Sequence, residues 1–115
     1  MEKLEKQFYE EIKSDIKDFS GYVIERIKKE KGTENSAVKE EYEKIQKLNL
    51  SDKDLESLKK IIEDAIIGAV HSLFVSIDGG TALSDEGKAL DLIDRKTGKP
   101  VTEGALHENF MDVFN

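Results

Sequence analysis

The residues of this chain with chemistry to offer are two histidines, an Asp-Gly-Gly turn and a group of C-terminal carboxylates. His71 and His107 are the only imidazoles. Joined by a carboxylate, two such rings can hold a metal ion or move a proton. Their spacing does not encourage that use: no histidine pair stands four residues apart, and no His-Glu-x-x-His occurs, the patterns that set ligands on one helix face. A buried or capping role is the expectation for each, with no metal bound. Asp78-Gly79-Gly80-Thr81 and Thr97-Gly98-Lys99 carry glycines that could let backbone N–H groups approach a phosphate. Neither completes the Walker spacing, and Pro100 follows the second, so ordinary turns account for both. Ser72, Ser76 and Ser84 lack the G-x-S-x-G setting of a serine nucleophile.

Asp85, Glu86, Asp91 and Asp94 form the densest acidic group, with Glu108 further along. They do not follow the ligand pattern of a calcium loop, and the sequence places them in no shared cleft of the kind acid–base catalysis needs. A solvated surface or an epitope for a basic partner therefore stands ahead of catalysis.

Composition bears on that choice. The 115 residues include 18 basic and 25 acidic side chains, a formal charge of −7. Residues 1–50 are nearly balanced, with 11 basic and 12 acidic, whereas residues 51–115 hold 7 and 13. A net-acidic surface repels phosphate backbones, so a nucleic-acid partner is not expected. A basic protein partner is favoured by the same physics. The absence of cysteine excludes disulfides, thiolate metal sites and iron–sulfur clusters. Polar residues His71, Ser72 and Ser76 break the longest apolar stretch, Ala65 to Ile77, which is well short of the roughly 20 residues that span a bilayer. Met1 to Glu11 alternates charge where a secretory leader would be apolar. A cytoplasmic protein without cofactor or membrane contact is the expectation.

The elements that must position these residues are mostly helices. Leu4, Phe8, Ile12, Ile16, Phe19, Val23 and Ile27 recur every three or four residues, which predicts a long first helix with that stripe inward. Gly21 within it suggests close packing against a neighbour, and Gly32 a stop. After a polar loop over Thr33 to Ser36, the positions Val38, Tyr42, Ile45 and Leu48 predict a short second helix, ended by Asn49. Ser51 with Asp54 resembles a capping box, and Leu50 with Leu55 a hydrophobic staple. A third helix follows, from Leu55 to about Ser76. Its apolar positions are broad enough to predict burial on most sides, with Gly68 and Ala69 admitting a close neighbour. Leu73 to Ile77 could alternatively be a buried strand.

Beyond Gly80 glycine is frequent and the helical texture ends. A small β-hairpin, about 89–94 paired with 99–102, is expected, then a short helix from Ala105 to Phe114 with Leu106, Phe110, Met111 and Phe114 inward. The fold expectation is α+β, predominantly α, in one domain: a three-helix body over 1–77 and an acidic hairpin-plus-helix appendage over 78–115. The functional expectation is a non-catalytic protein-binding domain, an immunity or antitoxin-like protein or adaptor, that caps a basic partner. Asp85, Glu86, Asp91, Asp94 and Glu108 would supply the charge, and exposed Tyr or Phe side chains the lasting affinity. The alternatives are a helical homo-oligomer with a structural role, or a small ligand-binding domain or enzyme using Asp78, His107 and Glu108.

Overall fold

The computed structural model describes residues 2–28, 33–34, 36–79, 90–102 and 104–114. Four helices stand among them: α1 (Lys3–Lys28), α2 (Lys39–Gln46), α3 (Asp52–Ile77) and α4 (Leu106–Asp112). Leu73 to Ile77 is helical. No glycine or proline stands between Leu73 and Ile77, so these β-prone side chains continue the helix that leads into them. The expected stop at Gly32 lies outside the described residues.

The chain forms two compact units, Met1–Ser14 with Ile66–Asn115, and Asp15–Ala65. The first has an aromatic core. Tyr9 of α1, Phe74 of α3 and Phe110 of α4 are buried, with ring centroids 5.2 to 6.2 Å apart. Such inclined pairs add about 0.5–1.5 kcal/mol each to their burial. Phe8 lies 6.1 Å from Phe74, and Phe114 5.1 Å from Phe110. Lys13 Nζ donates to the Val113 carbonyl at 2.8 Å and lies 5.6 Å from the centre of the Phe114 ring. A cation thus sits at the negative end of the α4 dipole.

In the second unit, Ile24 and Ile27 of α1 meet Leu55 of α3, with Tyr42, Ile45, Leu50 and Ile62 packed around them. The capping box is formed. Asp54 N–H donates to Ser51 Oγ at 3.1 Å, and Ser51 N–H to Asp54 Oδ2 at 3.3 Å. Gln46 Nε2 donates to the Arg26 carbonyl at 2.8 Å, tying α2 to α1. Asn49 adopts φ 51° after α2, a left-handed conformation that asparagine tolerates better than most side chains.

Four expectations need correction. No β-strand occurs among the described residues; the expected hairpin reduces to one isolated antiparallel bridge, Ile93 with Pro100. Val101 N–H donates to the Leu92 carbonyl and Asp94 N–H to the Lys99 carbonyl, each at 2.8 Å, and the turn between them is closed by Asp94. Its side chain accepts from Lys96 N–H at 3.0 Å and Thr97 Oγ1 at 3.1 Å, and its carbonyl accepts from Gly98 N–H at 2.8 Å. These groups close a tight turn, Pro100 has no N–H to extend a ladder, and Leu90 N–H is taken by the Ile77 carbonyl at 3.0 Å.

The inward face of α1 is also rotated from the expected stripe. Glu5, Tyr9, Ile16, Ser20, Ile24 and Ile27 are buried, whereas Leu4 and Phe19 are exposed. Packing partners select the face, and two polar residues gain partners there. Ser20 Oγ, for example, lies 2.9 Å from the Lys17 carbonyl and 3.1 Å from Glu63 Oε1. Third, α3 is not buried on most sides: Ile61 is 64% and Leu73 58% exposed. Fourth, Gly21 and Gly68 have open space where a Cβ would stand, so neither serves a close approach.

Candidate functional site

The α3–α4 junction of the first unit brings together residues far apart in sequence. Asp78 follows the last turn of α3, and Gly79 with φ 86° turns the chain away. Its carboxylate reaches α4, accepting the Leu106 N–H at 3.1 Å and the His107 N–H at 3.0 Å. Ala105, the residue in the N-cap position, offers no side-chain cap, so Asp78 caps the helix from 28 residues away. Asp78 Oδ2 also lies 2.5 Å from His107 Nδ1. An ionised carboxylate can only accept, so this contact places a ring proton on Nδ1. The His71 ring stands edge-on to His107, with centroids 5.6 Å apart. Burial alone would raise the Asp78 pKa; the His107 N–H and ring and the Leu106 N–H outweigh it and hold the carboxyl below its ordinary value.

An imidazole oriented by a carboxylate is half of an acid–base device. Among the described residues, no group of three or more metal-ligating side chains is arranged around an ion position. Both Asp78 oxygens are engaged by α4, and the assembly acts as a clasp on that helix. The sequence held its parts, Asp78 and His107, but their 29-residue separation gave no pairing signal.

Of the five carboxylates expected to form an acidic epitope, three are among the described residues. Asp85 and Glu86 lie outside the described residues, as does Ser84. Asp94 is committed to its own turn. Asp91 and Glu108 are exposed, Glu108 in the first turn of α4 where a carboxylate favours the helix dipole.

A different acidic surface appears on α1 in the second unit. Asp15, Asp18, Phe19 and Tyr22 are all exposed, the two aromatics by 64% and 66%. At about 100° per residue they share one arc of the helix roughly 100° wide, with Lys17 outside it. Asp15 and Asp18 pair with no cation among the described residues. Arg26 falls in the same arc, its guanidinium carbon 6.0 Å from the Tyr22 ring centroid, which demonstrates that this ring face accepts a cation. Sequence reading missed the surface by assigning Phe19 to the core stripe. The signal available was angular: Glu11, Asp15 and Asp18 share an arc that contains no lysine of α1, although Glu10 falls among the lysines. No helix among the described residues is long and apolar enough to cross a membrane. No family model, curated protein or solved structure matches the chain.

Proposed function

We propose that the protein is a non-catalytic binding domain that caps a basic partner protein, by occlusion, through the acidic and aromatic face of α1. The observation that supports this reading is the exposure of Phe19 and Tyr22 beside Asp15 and Asp18, carboxylates with no ion-pair partner among the described residues. Large exposed aromatics rimmed by charge are the usual composition of a binding hot spot. The net charge of −7 draws a cationic partner from a distance and speeds encounter. Contact then removes both rings from water, worth about 1.5–3 kcal/mol for each well-buried aromatic. An immunity or antitoxin-like role is the biological form we favour for such a module.

The test is an NMR titration with a lysine- and arginine-rich peptide, followed by stopped-flow kinetics with any basic protein captured by the wild type. Shifts centred on Asp15, Asp18, Phe19 and Tyr22 are expected, with an association rate that drops about tenfold between low and high salt. Asp15→Lys with Asp18→Lys should slow association, and Phe19→Ala or Tyr22→Ala should speed dissociation. A salt-independent rate, or shifts elsewhere with these residues silent, would overturn the reading.

One observation favours a homo-oligomer as a second reading. Residues 66–77 of α3 contain no charged side chain apart from His71, and Gly68, Ala69, Ser72 and Leu73 within them are exposed. Sedimentation equilibrium decides it: a concentration-dependent dimer weakened by Leu73→Glu supports it, and a monomer at high concentration removes it.

A further inference from the structure

In the first unit a chain of three groups runs from the Asp78 carboxylate through the His107 ring to the His71 ring. His71 and Asp78 are seven residues apart, two turns or about 10 Å along the axis of α3 and on one face of it. His107 reaches that face from α4, with its Nδ1 on Asp78 Oδ2 and its ring centroid 5.6 Å from that of His71. The Nδ1 proton is given to Asp78, so the lone pair of the neutral ring is on Nε2, at the edge turned away from the carboxylate. His71 stands on that other side, two turns back along α3.

Three observations point to one ligand chemistry. The first is the spacing of the rings. A metal–nitrogen distance of about 2.0–2.1 Å puts each ring centroid about 3.2 Å from a shared ion, so two bound imidazoles have centroids about 5.2 Å apart at a tetrahedral angle and about 5.5 Å apart at 120°. The observed 5.6 Å is close to both. The second is the carboxylate behind His107, the arrangement that fixes tautomer and ring orientation in metal-ligating histidines. The third is His71, a partly exposed ring with no hydrogen-bond or ion-pair partner among the described residues. The surroundings suit a cation. Neither α3 after Lys60 nor α4 contains a lysine or arginine, and the flanking charges are the carboxylates Asp78 and Glu108. The α4 dipole opposes a cation at this end, and the Asp78 carboxylate on the Leu106 and His107 N–H groups offsets it.

We propose that His71 and His107 together bind one divalent transition-metal ion of the zinc and copper class, His107 through Nε2, with Asp78 as the positioning carboxylate behind it. Imidazole suits these metals, whereas calcium and magnesium take oxygen ligands. Two ligands from the chain make an open site, whose remaining positions go to water or to a donor from outside the chain. The ion joins α3 to α4 and so tightens the junction that Asp78 already clasps. The site goes beyond the α1 reading and uses none of the residues of that face.

The experiment is a titration of the full chain with zinc, copper(II) and magnesium chlorides, followed by calorimetry and, for zinc, by NMR of the imidazole nitrogens. One ion per chain is expected, copper bound more tightly than zinc and magnesium not at all. Zinc should shift both rings, moving Nε2 of His107 and leaving its Nδ1 protonated. His71→Ala removes a ring with no hydrogen bond and should keep the fold. It should weaken copper and zinc by more than tenfold, since even the loss of a supporting residue costs about 10- to 100-fold. Saturating zinc should also raise the urea midpoint of the wild type and leave that of His71→Ala where it was. Equal affinity of wild type and His71→Ala, zinc on Nδ1 of His107, or imidazole signals unmoved at saturating zinc would each overturn the proposal. The NMR measurement on the wild type requires no variant to fold. Asp15→Lys with Asp18→Lys should leave this binding intact, which separates its failure from failure of the α1 reading.

Discussion

Asp78→Ala should destabilise the protein by about 3.5 kcal/mol at neutral pH. The magnitude follows from three interactions of one carboxylate. It accepts two α4 N–H groups at 3.1 and 3.0 Å, each worth about 1 kcal/mol as a cap. Leu106 is buried, so its N–H would have no water to replace the lost acceptor. The contact with the His107 ring at 2.5 Å adds about 1.5 kcal/mol as a hydrogen bond to a charged group. Against a typical total of about 5–15 kcal/mol, the loss is large. The assay is urea unfolding followed by far-UV circular dichroism, since the chain has no tryptophan. With a slope near 1.5 kcal/mol per molar urea, the midpoint should drop by about 2 M. Asp78→Asn keeps one carbonyl acceptor and should lose roughly half as much.

The same carboxyl makes the difference depend on pH. Its folded pKa lies below the ordinary value of 3.8, so the folded state holds the ionised form more firmly than the unfolded chain does. The stability it confers is complete above the unfolded pKa and is lost as pH falls through the folded one. The gap between wild type and Asp78→Ala should therefore be constant in mild acid and narrow below about pH 4. A gap under about 0.5 kcal/mol at pH 7, within the range of ordinary surface substitutions, or one that persists undiminished to pH 2, would refute the clasp.

Gly21→Ala should stabilise α1 by about 0.5–1 kcal/mol, because the added methyl meets nothing within 4 Å and helix propensity favours alanine; thermal unfolding that shows a loss would mean that a neighbour packs there. Tyr9→Phe should be neutral or stabilising by up to about 1 kcal/mol, since it removes a buried hydroxyl with no well-aligned hydrogen-bond partner among the described residues, and a loss beyond about 1 kcal/mol in the same urea assay would reveal a bond to the neighbouring Glu5 carboxylate. Ser51→Ala should cost about 1 kcal/mol by removing half of the capping box, and Phe110→Ala about 3–5 kcal/mol by emptying the aromatic core.

Local rules carried much of the architecture. The helices are legible because apolar residues recur every three or four positions. The start of α3 is legible because Ser51 and Asp54 sit at the spacing of reciprocal caps, and the end of α2 because Asn49 tolerates positive φ. The expected hairpin stops at one bridge among the described residues because Pro100 has no N–H to extend the ladder, while the Ile77 carbonyl, distant in sequence, takes the Leu90 N–H.

What the amino-acid order determined by itself was therefore the helical periodicity, the cap chemistry and the acidic balance, all of which depend on neighbours within a turn or two of the chain. The tertiary structure decided which arc of α1 faces inward, leaving Phe19 and Tyr22 exposed beside Asp15 and Asp18 while burying Glu5 and Ser20. It also decided that Asp78 would clasp α4 and meet His107. An amphipathic stripe several residues wide can be buried over a range of rotations at similar apolar cost, so specific contacts from α3 and α4 select among them. Those contacts join residues 29 to 104 positions apart, and no local pattern encodes that pairing.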